Sequence, residues 1–185
     1  MLRHVLRFAL AALVFASAAQ VSAADPVCLV LKGKNLGPIN GEPKSSACAK
    51  GSAGAIECLS YESSVTLSKD NTGRVTGVRA YAPVTCLKKI DKSSVPLLKA
   101  LTSGEPIAAT FYFLRPTGAG APAPFLTVDF SDGLVVGIKQ LQAKPSDPVS
   151  AGGLIEEVSF VFRGVRWTDV GTNLQVTDSW NVTKS

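Results

Sequence analysis

Apolar side chains alternate with polar ones along most of this chain, a period-two pattern that is typical of β-strands with one buried face. In residues 155–167, for example, Val158, Phe160 and Phe162 fall on one face of the strand. Strand-like runs of this kind lie at residues 27–32, 56–67, 75–87, 108–115, 125–142 and 155–167. The sequence therefore predicts a mainly β fold.

One segment departs from this alternation and predicts a single short helix. Residues 88–107 read KKIDKSSVPLLKALTSGEPI and carry helix boundary signals in the right order: an N-cap at Ser94, a first-turn Pro96 and a stop at Gly104. A narrow apolar stripe is formed by Leu97, Leu98 and Leu101. Because so short a helix is unstable alone in water, it is expected to dock this stripe on the open end or edge of a sheet.

A tight hairpin loop is predicted at residues 70–74, DNTGR, where Gly73 occupies the position that needs a positive φ. The loop joins the run at 56–67 to its predicted partner strand at 75–87. The apolar face of the first of these strands is formed by Leu59, Tyr61, Val65 and Leu67.

The chain has four cysteines, at Cys28, Cys48, Cys58 and Cys86. Their wide spacing does not match a metal site such as C-x-x-C, so two disulfides are predicted. If Asp70 faces Arg74 in the hairpin, Cys58 falls opposite Cys86, which leaves Cys28 to pair with Cys48. A bulge of one residue would shift this register, so all three possible pairings stay open.

The first 23 residues have the pattern of a secretory signal peptide. Arg3 and Arg7 precede an apolar run at residues 8–16, and the segment ends in small residues at Ala23. The apolar run is shorter than the roughly 20 residues that span a bilayer. The sequence predicts cleavage near Ala23, a single domain at residues 24–185, no stable membrane insertion, and a periplasmic or secreted location.

The residue inventory argues against an enzyme. The one histidine, His4, lies in the predicted signal peptide, which removes histidine-based catalysis and most zinc or iron sites from the mature chain. Glu156 and Glu157 are adjacent on a strand and point to opposite faces, so they cannot act as a catalytic pair. An alternative hypothesis, an enzyme, would have to use the remaining candidates Asp129, Asp132 and Asp169. No cofactor or metal is predicted.

The formal net charge of +5 is modest, and the basic residues are scattered without interleaved aromatics. This pattern does not indicate a nucleic-acid surface. What remains is a binding or assembly protein that uses sheet edges and loops.

The helix segment resembles the haemolysin-coregulated protein (Hcp) family, the tube-forming component of type VI secretion systems. The family pattern Lys-x-x-Asp-Lys-Ser-[ST]-x-x-Leu leads into the helix. The matching residues here are Lys88, Asp91, Lys92, Ser93, Ser94, Leu97 and Leu98, the leucines with one register difference. Residues 56–65, 125–140 and 156–167 resemble strands of the same family and occur in the same order.

The resemblance implies a β-barrel of two packed antiparallel sheets with one short lateral α-helix at about residues 94–103. It implies rings of six copies that stack into a tube, a carrier role for secreted effectors or contact with other secretion components, and no catalytic residues. Asp132 and Gly133 are a strong signal for a two-residue turn, so residues 125–142 form either a hairpin or one bent strand. The resemblance favours the bent strand.

Two features depart from the family: the signal peptide and the paired cysteines. The segment at residues 24–54 is the most divergent part. The leading hypothesis is therefore an exported, non-enzymatic structural protein of this family. The alternative is a monomeric periplasmic binding module that keeps the barrel without tube assembly and carries polar, charged groups on its edges.

Overall fold

The structure, a computed structural model, describes residues 25–51, 54–117, 120–146 and 153–180. The predicted signal peptide lies outside these residues. Within them are twelve strands and two helices: β1 (Val27–Gly33), β2 (Gly37–Ile39), α1 (Ser46–Gly51), β3 (Ile56–Cys58), β4 (Ser60–Glu62), β5 (Val65–Lys69), β6 (Val75–Tyr81), β7 (Val84–Lys89), α2 (Ser94–Ser103), β8 (Ile107–Thr117), β9 (Gly120–Ala143), β10 (Gly153–Val161), β11 (Gly164–Asp169) and β12 (Gln175–Ser179).

Ten strands form one antiparallel sheet. Seven of them follow the order β2-β1-β8-β9-β10-β7-β4, and β3, β11 and β12 pair outside this path, β12 with β11. The first half of β9 pairs with β8 and β11, whereas its second half pairs with β10. The run from Ile56 to Glu62 joins opposite edges of this sheet, because β3 pairs with β1 and β4 pairs with β7. The predicted fold class of mainly antiparallel β is confirmed.

Strand β9 bends at Asp132, where φ is +50° and the register with β8 shifts. This bend lets one strand pair with β8 and β11 before it and with β10 after it. The ring of Phe162 packs directly against the backbone of Gly133. A Cβ at this position would lie 2.2 Å from Cδ1 of Phe162, so only glycine fits there. The Asp-Gly pair therefore marks a bend within one strand and not a hairpin turn.

The predicted hairpin is present, but it stands apart from the main sheet. Strands β5 and β6 form a separate two-stranded sheet, and Gly73 has φ of +83° in the loop. The prediction of one continuous strand on each side is wrong, since the first run divides into β3, β4 and β5 and the second divides into β6 and β7 at Ala82 and Pro83. Val65 and Leu67 are more than half exposed and do not share a buried face with Tyr61.

The main core lies between the inward faces of the folded sheet. Phe111 is completely buried and meets Tyr61, Phe130 and Phe160 edge-on, with ring centroids 4.9 to 6.5 Å apart. Such edge-to-face contacts add to the area that these rings bury. The predicted burial of Val158, Phe160 and Phe162 is confirmed, although their predicted strand divides into β10 and β11 after Val161.

Helix α2 closes this core, and the stop predicted at Gly104 is confirmed, since this residue is left-handed at the C-terminal end. Leu97 and Ala100 are fully buried, but Leu98 is 52% exposed, so the predicted stripe is wrong at that position. The prediction of a single helix is also wrong. The six-residue α1 lies in a Gly- and Ser-rich segment that has no long apolar period to indicate a helix.

No helix among the described residues is long and apolar enough to cross a membrane.

Candidate functional site

The segment that leads into α2 is ordered by short polar side chains. Asp91 Oδ1 accepts hydrogen bonds from the Ser93 N–H at 2.9 Å and the Ser93 hydroxyl at 2.6 Å. The prediction that Ser94 is the N-cap is wrong. Ser93 holds that position without a side-chain cap bond, and Ser94 begins the helix. The Ser94 hydroxyl is instead used for a long-range contact.

That contact is part of a buried polar network at the end of the core. Lys88 and Glu156 are directly opposite on β7 and β10, with Nζ and Oε1 2.8 Å apart and both side chains essentially without solvent exposure. The Ser94 hydroxyl donates to Glu156 Oε1 at 2.6 Å, and the Gln140 amide donates to Oε2 at 2.9 Å. Lys88 also contacts Asp91 Oδ1 at 2.8 Å. We call these five residues the polar pin.

Electrostatics keep the acids of the polar pin ionised. Burial by itself raises the pKa of Glu156, but hydrogen bonds from Gln140, Lys88 and Ser94 outweigh it and leave this pKa below its ordinary value. Burial likewise raises the pKa of Asp91, but hydrogen bonds from Lys88, Ser93 and the Glu42 N–H outweigh it and leave this pKa below its ordinary value. Both carboxylates are engaged by donors, so the polar pin is suited to fix α2 on the sheet.

The family-pattern residues fall into two groups. Lys88, Asp91 and Ser94 belong to the polar pin, with Ser93 bonded to Asp91, and Leu97 fills the core beneath them. Lys92 and Leu98 are exposed on the outer side. Sequence reasoning treated Glu156 only as half of a rejected catalytic pair. The one signal that could have found its role is its predicted orientation, opposite to that of Glu157.

The four cysteines form two disulfides, Cys28 with Cys48 and Cys58 with Cys86, with Cα–Cα distances of 5.5 and 5.4 Å. The register proposed for Cys58 and Cys86 is wrong, because Cys86 is opposite Tyr61 and Cys58 is opposite Val27. Their disulfide instead joins β3 to β7.

The three candidate catalytic aspartates have separate structural contacts. Asp129 accepts hydrogen bonds from Thr110 at 2.7 Å and from Arg166 at 2.9 Å, across β8, β9 and β11. Asp132 lies at the bend of β9, and Asp169 accepts the Thr172 N–H in the turn before β12. Among the described residues, no cluster of three or more potential ligands for a metal ion is present.

Two apolar surfaces are exposed instead. The first, the hairpin patch, consists of Val65, Trp167 and Val176, which line a groove of about 210 Å³ between the β5–β6 hairpin and β11–β12. Their exposures are 54%, 38% and 62%. Exposed apolar groups that gather along a groove are typical of interaction surfaces.

The second surface, the strand patch, consists of Leu134, Val136 and Val161 on β9 and β10, which are 38–45% exposed. Leu134 and Val161 border an apolar cavity of about 430 Å³, and the stacked rings of Tyr81 and Trp180 also line it. The two patches lie on different strands of one chain. A structural β-protein with surfaces for association is the class that this fold and these sites define.

Comparison with known proteins identifies the family. A family model described as "Type VI secretion system effector, Hcp" matches residues 30–168. The "Major exported protein" of Pseudomonas aeruginosa strain PAO1 is 32% identical over 123 residues, which span 65% of this chain and 72% of that protein. The chain therefore belongs to the Hcp family of type VI secretion.

Solved structures agree with this assignment. The Hcp1 protein from E. coli EAEC 042 is 27% identical, with a TM-score of 0.73 over 85% of this chain and 99% of that one. Secreted protein Hcp3 from Pseudomonas aeruginosa, at 22% identity and a TM-score of 0.63 over 85% and 99% of the two chains, has the same fold. Hcp proteins are structural tube proteins, so this chain is not an enzyme and the hypothesis based on the three aspartates is set aside.

Proposed function

We propose that this chain is an exported Hcp protein whose copies associate into rings of six and that these rings carry secreted effectors. The observation that carries the proposal is the presence of two exposed apolar patches on different strands of one chain. A head-to-tail interface needs two different surfaces on each copy, and it closes into a ring when the rotation between copies permits.

The strand patch is the better candidate for the closing interface. Leu134 and Val161 are opposite each other on adjacent strands, and Val136 lies two residues along β9. The register between the two strands shifts at Val136, which lies between the opposed pairs Val135–Phe160 and Gly137–Ser159. The patch still lies on paired strands, so a second copy can cover it with little ordering cost. A monomeric binding module would be expected to carry polar groups at such positions, so the apolar character favours assembly over that alternative.

Export is the second part of the proposal. The predicted signal peptide at residues 1–23 would direct the chain through the inner membrane, with cleavage near Ala23, to the periplasm or the medium. Two disulfides suit an oxidising compartment, where paired cysteines persist. The name of the relative in Pseudomonas aeruginosa, "Major exported protein", supports the same location.

Sedimentation velocity of the mature chain under oxidising conditions tests the assembly. We expect a ring-sized species that dissociates on dilution. The double variant L134D/V136D places two charges in the apolar interface and should weaken association about tenfold or more. The control is Gln142→Asp, an exposed residue on the same strand, which should leave association unchanged. A monomer at every concentration, or equal effects of the two variants, would contradict the proposal.

A further inference from the structure

Helix α1 lies on the opposite face of the β1–β8 pair from the main core. Leu29 and Phe111 point into that core, whereas Cys28 and Tyr112, which are opposite each other in the register, point outward. The outward face has its own small cluster under α1, whose buried members are Cys28, Ala47, Cys48, Ala55 and Leu114. Val30 and Tyr112 are partly covered at its border.

The small size of this cluster decides how α1 is held. A six-residue helix is not stable by itself, and among its residues whose burial the structure describes, 46–49, α1 contributes Ala47 and Cys48 to the buried set. The larger main core has 19 buried members. Little apolar area is therefore buried under α1, and the free energy that this burial supplies is correspondingly small.

The polar anchors of this region precede α1. Glu57 Oε2 accepts the N–H groups of Lys44 and Ser45, at 2.8 and 3.1 Å, and Asp91 Oδ2 accepts the Glu42 N–H at 2.8 Å. These bonds hold the loop that leads to the helix. Among the described residues, the Cys28–Cys48 disulfide and the packing of Ala47 attach α1 itself to the sheet.

We propose that α1 is a redox-controlled cover: the Cys28–Cys48 disulfide holds it over the outward face of β1 and β8, and reduction releases it while the main core stays folded. The reductant is a dithiol. One of its sulfurs attacks a cysteine Sγ and forms a mixed disulfide, and its second sulfur then closes the reagent's own disulfide. Two electrons and two protons pass to Cys28 and Cys48, which become thiols.

Release of the cover exposes the apolar side chains of Tyr112 and Leu114. Exposure does not separate the two disulfides, since Cys28 and Cys48 are 3% and 0% exposed and Cys58 and Cys86 are 6% and 0% exposed. They differ in their surroundings, because the first pair belongs to the small cluster under α1, whereas Cys58 and Cys86 belong to the main core. A reductant reaches this pair only when β3 separates from β7, which opens the core. Local opening of α1 has a lower free energy than opening of the core, so the two disulfides differ in their rates of reduction.

Timed reduction of the oxidised protein with dithiothreitol, followed by alkylation and mass spectrometry, tests the cover. We expect Cys28 and Cys48 to be alkylated at least about tenfold faster than Cys58 and Cys86. Circular dichroism should stay unchanged after the first step, and carbene footprinting should show increased labelling of Tyr112. Simultaneous reduction of both disulfides, earlier reduction of Cys58–Cys86, or unchanged labelling of Tyr112 after the first step would overturn the proposal.

A matched pair of variants on α1 keeps all four cysteines. Ala47→Asp puts a charge into the small cluster and should speed reduction of Cys28–Cys48 about tenfold, with Cys58–Cys86 unaffected. Ala49→Asp changes an exposed position of the same helix and should leave both rates unchanged. Equal rates for the two variants would show that opening of α1 does not control access, and the proposal would then be wrong.

Discussion

The two helices of this chain are both too short to be stable alone, yet they are attached to the sheet in different ways. Helix α2 inserts Leu97 and Ala100 into the main core, and Ser94 at its first turn joins the polar pin. Helix α1 places the small side chains of Ala47 and Cys48 in the cluster beneath it and is tied to β1 by a disulfide. Apolar burial and buried hydrogen bonds thus hold the first, whereas a covalent bond sensitive to reduction holds the second.

The largest effect is expected from breaking the polar pin. Lys88→Met leaves Glu156 buried without its cation, which should cost about 3–5 kcal/mol in the free energy of unfolding. Urea denaturation measures this loss. The same substitution at the neighbouring Lys89, which points to the other side of β7, should change stability by under about 1 kcal/mol. The double variant K88M/E156L should recover most of the loss, since neither buried charge of the pair then remains.

Removal of the apolar attachment of α2 is expected to have the next largest effect. Leu97→Ala creates a cavity at a fully buried position and should cost about 3–4 kcal/mol. Leu98→Ala is its matched control on the same helix, because Leu98 is half exposed, and the expected change is within about 0.5 kcal/mol. Similar losses for both, measured by thermal unfolding, would contradict the orientation of the helix.

Loss of the covalent attachment of α1 should have a smaller effect. The double variant C28S/C48S opens a loop with a sequence separation of 20 residues and should lower the free energy of unfolding by about 2–3 kcal/mol. Circular dichroism should still report the β-sheet, and trypsin should cleave after Lys50, within α1, at lower concentration than in the parent chain. Retained resistance at this segment would indicate that α1 is held without its disulfide.

The smallest expected effect is on the pH dependence of stability, which should involve the attachment of α2 and not that of α1. Folding lowers the pKa of both Glu156 and Asp91. Their contribution to stability is therefore complete above about pH 4.5, the ordinary pKa of glutamate, and is lost as pH falls through the lowered values. Denaturation curves between pH 3 and 7 should show this loss in the parent chain and a weaker one in Lys88→Met, whereas C28S/C48S should keep the parent's dependence.

Local signals in the sequence predicted α2 well because Pro96 and Gly104 act within their own segment. They could not predict the polar pin, since Lys88 and Glu156 are 68 residues apart and meet only through strand pairing. The strand register failed for a similar reason. The shift between Leu67 and Lys69 and the break at Pro83 move the pairing away from the one that the hairpin loop alone would set.

Helix α1 shows a further reason for failure. Its sequence, SACAKG, is short and lacks a helical apolar period, so its conformation depends on tertiary contacts and on the partner of Cys48. The hairpin patch could not be predicted either. The alternating pattern placed Val65 and Leu67 on a buried face, and it does not indicate that their hairpin stands apart from the main sheet.

Hydrogen–deuterium exchange of both helices in one sample, before and after reduction of the Cys28–Cys48 disulfide, compares the two attachments most directly. The amides of α1 should lose protection on reduction, while those of α2 keep theirs. Loss of protection in α2 at the same step, or unchanged protection in α1, would contradict the conclusion that the disulfide holds one helix and the polar pin with the core holds the other.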